Sequence, residues 1–95
     1  MKNELIIMKE FYLIPNNNRK SFYNKATVIE KDNGDIELKS YNTIVARISK
    51  GKFERLWNGY SQTTMNHINA FINLYGIFGG GKAWWESLEV VSWYN

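Results

Sequence analysis

The sequence has no cysteine, one histidine and one proline. Without cysteine there is no disulfide framework, no thiolate zinc site and no cysteine nucleophile. The lack fits a reducing compartment. The single histidine, His67, leaves carboxylates as the only further metal ligands of the usual side-chain kind. Long apolar runs are missing near the start: Leu5 to Met8 is cut at once by Lys9 and Glu10. Four apolar residues are too few for the core of a signal peptide or for a membrane span. The expectation is a cytoplasmic protein with no membrane contact. No internal repeat is present. The low-complexity tracts are Asn16–Asn18, directly after Pro15, and Gly79–Lys82; both read as loops.

Aromatic residues are abundant. Four Trp, six Tyr and five Phe make 16% of the 95 residues. A chain of this length forms one domain, here 1–95, with a modest core. Large rings compensate, because each buries ~150–250 Å². Twelve Lys and Arg against nine Asp and Glu give a net charge of +3. That mild basicity permits phosphate contact without demanding it.

Periodicity predicts an α+β fold. "KATVIEKDNGDIELKSY" reads as two strands around Asn33-Gly34, a pair suited to the two positive-φ positions of a type I′ turn. "TIVARI" alternates, with Ile44, Ala46 and Ile48 on one face. Tyr41-Asn42 and Lys50-Gly51 are the expected connections. The strands fall at 24–31, 35–40, 43–48 and 52–56, and "EFYLIP" adds another, ended by Pro15. The period then becomes helical: Met65, Ile68, Phe71, Ile72 and Tyr75 form one apolar stripe. Thr63 or Thr64 is the expected N-cap and Gly76 the C-cap. "KAWWESL" predicts a short second helix, and "EVVSWYN" a last strand. The architecture is an antiparallel meander of four to six strands packed against one main helix.

Each chemical motif has a plainer explanation. "DNGD" lacks the ligand spacing and terminal glutamate of a calcium loop, and Asp and Asn are ordinary turn residues. "FGGGK" lacks the spacing of a phosphate loop and follows a helix rather than a strand. A general-base role for His67 needs a nucleophile and an orienting carboxylate. No acid lies between Arg55 and Glu86, so a hydrogen-bonded histidine at a helix start is the favoured reading. In "NNNRKSFYNK", Arg19, Lys20 and Lys25 surround Phe22 and Tyr23, a combination that suits single-stranded nucleic acid. The alternative is that these rings belong to a strand start. Adjacent Trp84 and Trp85 on a helix point about 100° apart, so at least one is expected to stay half exposed. Exposed tryptophan is a common source of binding energy.

The strings "FYLIPNNNRKSFYNKA", "LKSYNTIVARI", "YSQTTMNHINAFINLYG" and "KAWWESLEV" occur in that order. The most specific positions are Tyr60-Ser61, Thr63-Thr64, His67 and Phe71, with Ser40-Tyr41 and Thr43 before them. This pattern resembles a family of small uncharacterised proteins from phages and mobile elements of Gram-positive bacteria. It covers most of the chain from Phe11 onward. Met8 offers an alternative start, with residues 1–7 as an extension. The resemblance implies no activity, cofactor or catalytic residue. It implies an accessory protein that binds host machinery such as a CRISPR or other defence nuclease. The positive charge argues against simple DNA mimicry.

The expectation is therefore a non-enzymatic inhibitor of a host protein complex, with no cofactor, metal or catalytic residue. Its candidate contact residues are Trp84, Trp85, Tyr60, Tyr41, Asn42, Ser61, Thr64 and His67. The alternative is a nucleic-acid-binding module using Arg19, Lys20, Phe22, Tyr23 and Lys25.

Overall fold

A computed structural model describes residues 7–14 and 25–91, with side chains from residue 9. Five strands, β1 (Ile7–Tyr12), β2 (Ala26–Lys31), β3 (Ile36–Ser40), β4 (Thr43–Ser49) and β5 (Lys52–Arg55), pair in sequence order as one antiparallel sheet. Two helices follow, α1 (Gln62–Tyr75) and α2 (Lys82–Ser87). This is the α+β meander that the periodicities predict.

The turns differ in kind from the expectation. At Asn33-Gly34 only the glycine has positive φ, at 96°. The Gly34 N–H donates to the Lys31 carbonyl (3.0 Å) and the Lys31 N–H donates to the Asp35 carbonyl (2.9 Å). This fits a three-residue hairpin loop, a type I turn closed by a left-handed glycine. The Asn33 side chain accepts from the Asp35 N–H (2.9 Å), which favours that form. The type I′ signature lies instead at Lys50-Gly51, where φ is 55° and 77°.

A bulge also breaks the expected alternation in β4. Leu38 faces Ala46 but Lys39 faces Ile44, so Val45 is the extra residue. Val45 joins Ala46 and Ile48 in the core, and Ile44 stays outside it. The Val45 carbonyl accepts from both Leu56 and Trp57 N–H groups. The bulge thereby fixes how the chain leaves β5.

The helix stripe is buried as its spacing predicts. Met65, Ile68, Phe71 and Ile72 share the core with Val28, Leu38, Ala46 and Ile48. The N-cap is Ser61, not Thr63 or Thr64: its hydroxyl accepts from the Thr64 N–H at 3.1 Å. Gly76 ends the helix in the left-handed region, with the Ile77 N–H on the Ile72 carbonyl (2.9 Å), a Schellman closure. The short second helix forms as expected. "EVVSWYN" gives only one parallel bridge, Arg55 with Val90, and residues 92–95 lie outside the described residues.

Phe71 is fully buried, its ring edge-on to Tyr75 and tilted against Phe53. Replacing it with alanine should lower the unfolding free energy by ~3–5 kcal/mol in urea denaturation. A loss below about 1 kcal/mol would mean the ring is not a core contact.

Candidate functional site

The sharpest polar arrangement joins the end of β3 to the start of α1. Ser40 closes β3 with its side chain buried. Thr64 and His67 are three residues apart on α1, so both face the same way. Ser40 Oγ stands 3.0 Å from Thr64 Oγ1 and 2.8 Å from His67 Nδ1. A hydroxyl has one proton and two lone pairs, so Ser40 serves both partners. Burial first, and the nearby charge of Lys25 second, lower the His67 pKa from 6.5 to about 4. The imidazole is therefore neutral at neutral pH.

A serine at 2.8 Å from an imidazole has the spacing of a nucleophile and its base. Here the serine, the threonine and the histidine are all buried. An imidazole with a pKa near 4 is also a weak general base at neutral pH. Among the described residues, no three His, Cys, Asp or Glu side chains converge as a metal site.

Above this network sits Tyr41. Its φ is 54°, a left-handed conformation that bulky side chains rarely adopt. Its ring is 50% exposed and rests 5.8 Å from the His67 ring, tilted by 48°. The Tyr41 N–H donates to the Lys25 carbonyl at 2.8 Å. Asn42, next in the chain, and Ser61, the cap of α1, are exposed. Of the candidate residues Tyr41, Asn42, Ser61, Thr64 and His67, the structure stacks Tyr41 near His67 and links His67 to Thr64 through Ser40. Only the first three face solvent.

Thr64, His67 and Trp85 are corrected as contact residues: all are buried, and each is held by the fold itself. The Trp85 indole donates to the Gly59 carbonyl (2.8 Å) and its ring lies among Phe53, Trp84 and Arg55. Trp84 is half-buried against Phe53, with ring centroids 5.2 Å apart. Tyr60 is half-buried, donates to Gln62 Oε1 (2.9 Å) and carries the Lys82 ammonium over its ring. Of the basic and aromatic segment, Arg19, Lys20, Phe22 and Tyr23 lie outside the described residues. Lys25 is exposed, and its carbonyl accepts from the Tyr41 N–H.

Sequence reasoning missed Arg55. Its side chain is buried and donates to three carbonyls: Nε to Trp57 (2.9 Å), Nη1 to Trp85 (3.0 Å) and to Leu88 (3.1 Å). Its guanidinium also lies 4.6 Å from the Trp85 ring centre. A signal existed, since Arg55 falls two residues after the half-buried Phe53, at a core-facing phase where a cation must find partners. Phe78, fully exposed in a glycine-rich loop, was also missed.

Residues 13–87, the span that holds this geometry, match a known family. The chain belongs to a family of unknown function, DUF8033. The matched span takes in the Ser40–Thr64–His67 network, the Tyr41 turn, Arg55 and both helices. No curated protein and no solved structure matches the chain. Among the described residues, no helix is long and apolar enough to cross a membrane.

The histidine generates a pH prediction. Above about pH 6.5 His67 is neutral both folded and unfolded and contributes no pH dependence. As pH falls from 6.5 to about 4, the unfolded chain takes up a proton that the folded one refuses. Stability therefore falls across that window, by on the order of 3 kcal/mol from this group alone, and the loss levels off below it. Urea unfolding of the wild type and of His67→Gln at several pH values isolates the contribution. The variant should fold and lack this component of the slope. Identical slopes would show that His67 is not held neutral by burial.

Proposed function

We propose that this protein is a non-enzymatic accessory protein of a phage or mobile element that binds a host protein complex and inhibits it. The observation that carries the reading is Tyr41. A half-exposed ring is fixed at the positive-φ first position of the two-residue turn joining β3 to β4, a position that Asn or Gly would occupy more easily. Beside the ring lies the buried His67 imidazole, itself held by the Ser40 hydroxyl.

A rigid tyrosine rim flanked by Asn42, Ser61 and Lys25 suits protein recognition. Tyrosine supplies contact area at low entropic cost, and the small polar groups supply hydrogen bonds. The burial of the Ser40–His67 pair favours support of this surface over bond breaking. The resemblance to accessory proteins of mobile elements supplies the host context, with a defence nuclease in the cytoplasm as the target class. Tyr60 and Trp84, each half-buried, extend the candidate surface.

The test separates strain from function. Tyr41→Asn should leave stability within about 1 kcal/mol of wild type, because Asn tolerates the left-handed region. It should weaken capture of the partner from element-bearing cells by at least ~2 kcal/mol, as expected for a hot spot. Captured protein should survive nuclease treatment, and inhibition should be one-to-one. Unchanged capture by Tyr41→Asn would remove the carrying argument. Turnover of excess target by trace protein would point to an enzyme.

A further inference from the structure

Two asparagines of this chain, Asn33 and Asn58, directly precede a glycine. Asparagine is a thermolabile residue. Its side-chain amide lies within reach of the next backbone nitrogen, and attack of that nitrogen on Cγ closes a cyclic imide and expels ammonia. A following glycine favours the attack, because it has no Cβ to obstruct the approach and leaves the backbone free to turn. Both sites carry the same dipeptide, so a difference between them comes from the fold.

At Asn33 both reacting groups are held. The Gly34 N–H donates to the Lys31 carbonyl (3.0 Å), and Asn33 Oδ1 accepts from the Asp35 N–H (2.9 Å). Attack would break the bond that closes the turn and swing away the side chain that braces it. At Asn58 neither group is held. The residue is exposed on the irregular connection between β5 and α1. Among the described residues, no hydrogen bond engages its carboxamide or the Gly59 N–H. The flanking backbone is anchored through carbonyls instead: Trp57 accepts from Arg55 Nε (2.9 Å) and Gly59 accepts from the Trp85 indole (2.8 Å). The nucleophilic nitrogen between them stays available.

We propose that Asn58 is a site of spontaneous deamidation and that Asn33 is protected by its turn. The Gly59 nitrogen loses its proton to solvent base and bonds to Asn58 Cγ, while Nδ2 leaves as ammonia. Water then opens the imide at either carbonyl. Opening at Cγ gives aspartate. Opening at the Asn58 backbone carbonyl gives isoaspartate, in which the chain runs through Cβ and Cγ. One water is consumed and one ammonia released. Both products add a negative charge. Isoaspartate also lengthens the backbone by one carbon between the Trp57 and Gly59 carbonyls. Those carbonyls are gripped by Arg55 and Trp85, the side chains that hold α2 to the core. The extra atom loosens that grip, so the modification is a slow, water-driven release of α2.

Incubation of the folded protein at mildly alkaline pH, followed by tryptic mapping, tests the contrast. Asn33 and Asn58 fall in separate tryptic peptides, 32–39 and 56–82. Fragment spectra should localise a gain of one mass unit to Asn58, and an isoaspartyl methyltransferase should label the same peptide. The 56–82 peptide should convert several-fold faster than the 32–39 peptide. In urea the turn is lost, and the two rates should converge. Asn58→Ser should abolish labelling of the 56–82 peptide. The purified isoaspartate form should unfold at lower urea than fresh protein. Asn58→Asp, with the charge but the normal backbone, should match fresh protein. Equal rates in the folded protein, or an Asn58 that reacts in urea but not when folded, overturns the proposal. So does an isoaspartate form as stable as fresh protein.

Discussion

The arrangement of this protein depends on keeping one imidazole uncharged in its interior. His67 lies where the start of α1 meets the end of β3, and a charged ring there would lack both water and a carboxylate. Neutral, it shares the Ser40 hydroxyl with Thr64. Leaving any one of these groups unmatched would cost ~1–3 kcal/mol. Apolar packing of Met65, Ile68 and Phe71 presses α1 on the sheet, but packing is non-directional. The three polar side chains give that contact a register. They therefore set the position of the Tyr41 turn on one side and of the Ser61 cap on the other.

A second buried polar group performs the same task at the opposite side of the core. The Arg55 guanidinium finds no carboxylate among its hydrogen-bond partners. It takes three carbonyls instead, two of them from the end of α2. The Trp85 carbonyl also accepts from the Leu88 N–H at the helix end, and Arg55 gives it a second donor. The cation adds donors where the helix ends and suits its negative end. Trp85 is clamped between this cation and the Gly59 carbonyl. A six-residue helix with little stability of its own is held in this way, and Trp85 becomes core while Trp84 stays half-buried against Phe53.

The strand and helix positions were legible because they rest on period alone. Alternation found β2 to β5, and the spacing of Met65, Ile68, Phe71 and Ile72 found the buried face of α1. What failed depended on local hydrogen bonding. Ser61 outcompeted the neighbouring threonines as the cap because Thr64 is engaged with Ser40. Asn33 avoided positive φ because its side chain holds the Asp35 N–H. The Val45 bulge answers to two N–H groups from the chain beyond β5, which no strand pattern encodes. At the site, Tyr41, Asn42, Ser61, Thr64 and His67 were expected to form one surface, but Thr64 and His67 are buried and the other three exposed. That division requires knowing that Ser40 points inward to meet them.

The protonation of the His67 ring is the property on which the buried network, and the surface it supports, stands or falls. Nitrogen-15 NMR of the imidazole reads it directly during a pH titration of the folded protein. The structure predicts a neutral ring in a single tautomer through the physiological range, with a midpoint near pH 4. A midpoint near the ordinary 6.5, in a protein whose other signals stay folded, would contradict it. The ring would then be in contact with water, and Tyr41 would have no rigid base beneath it.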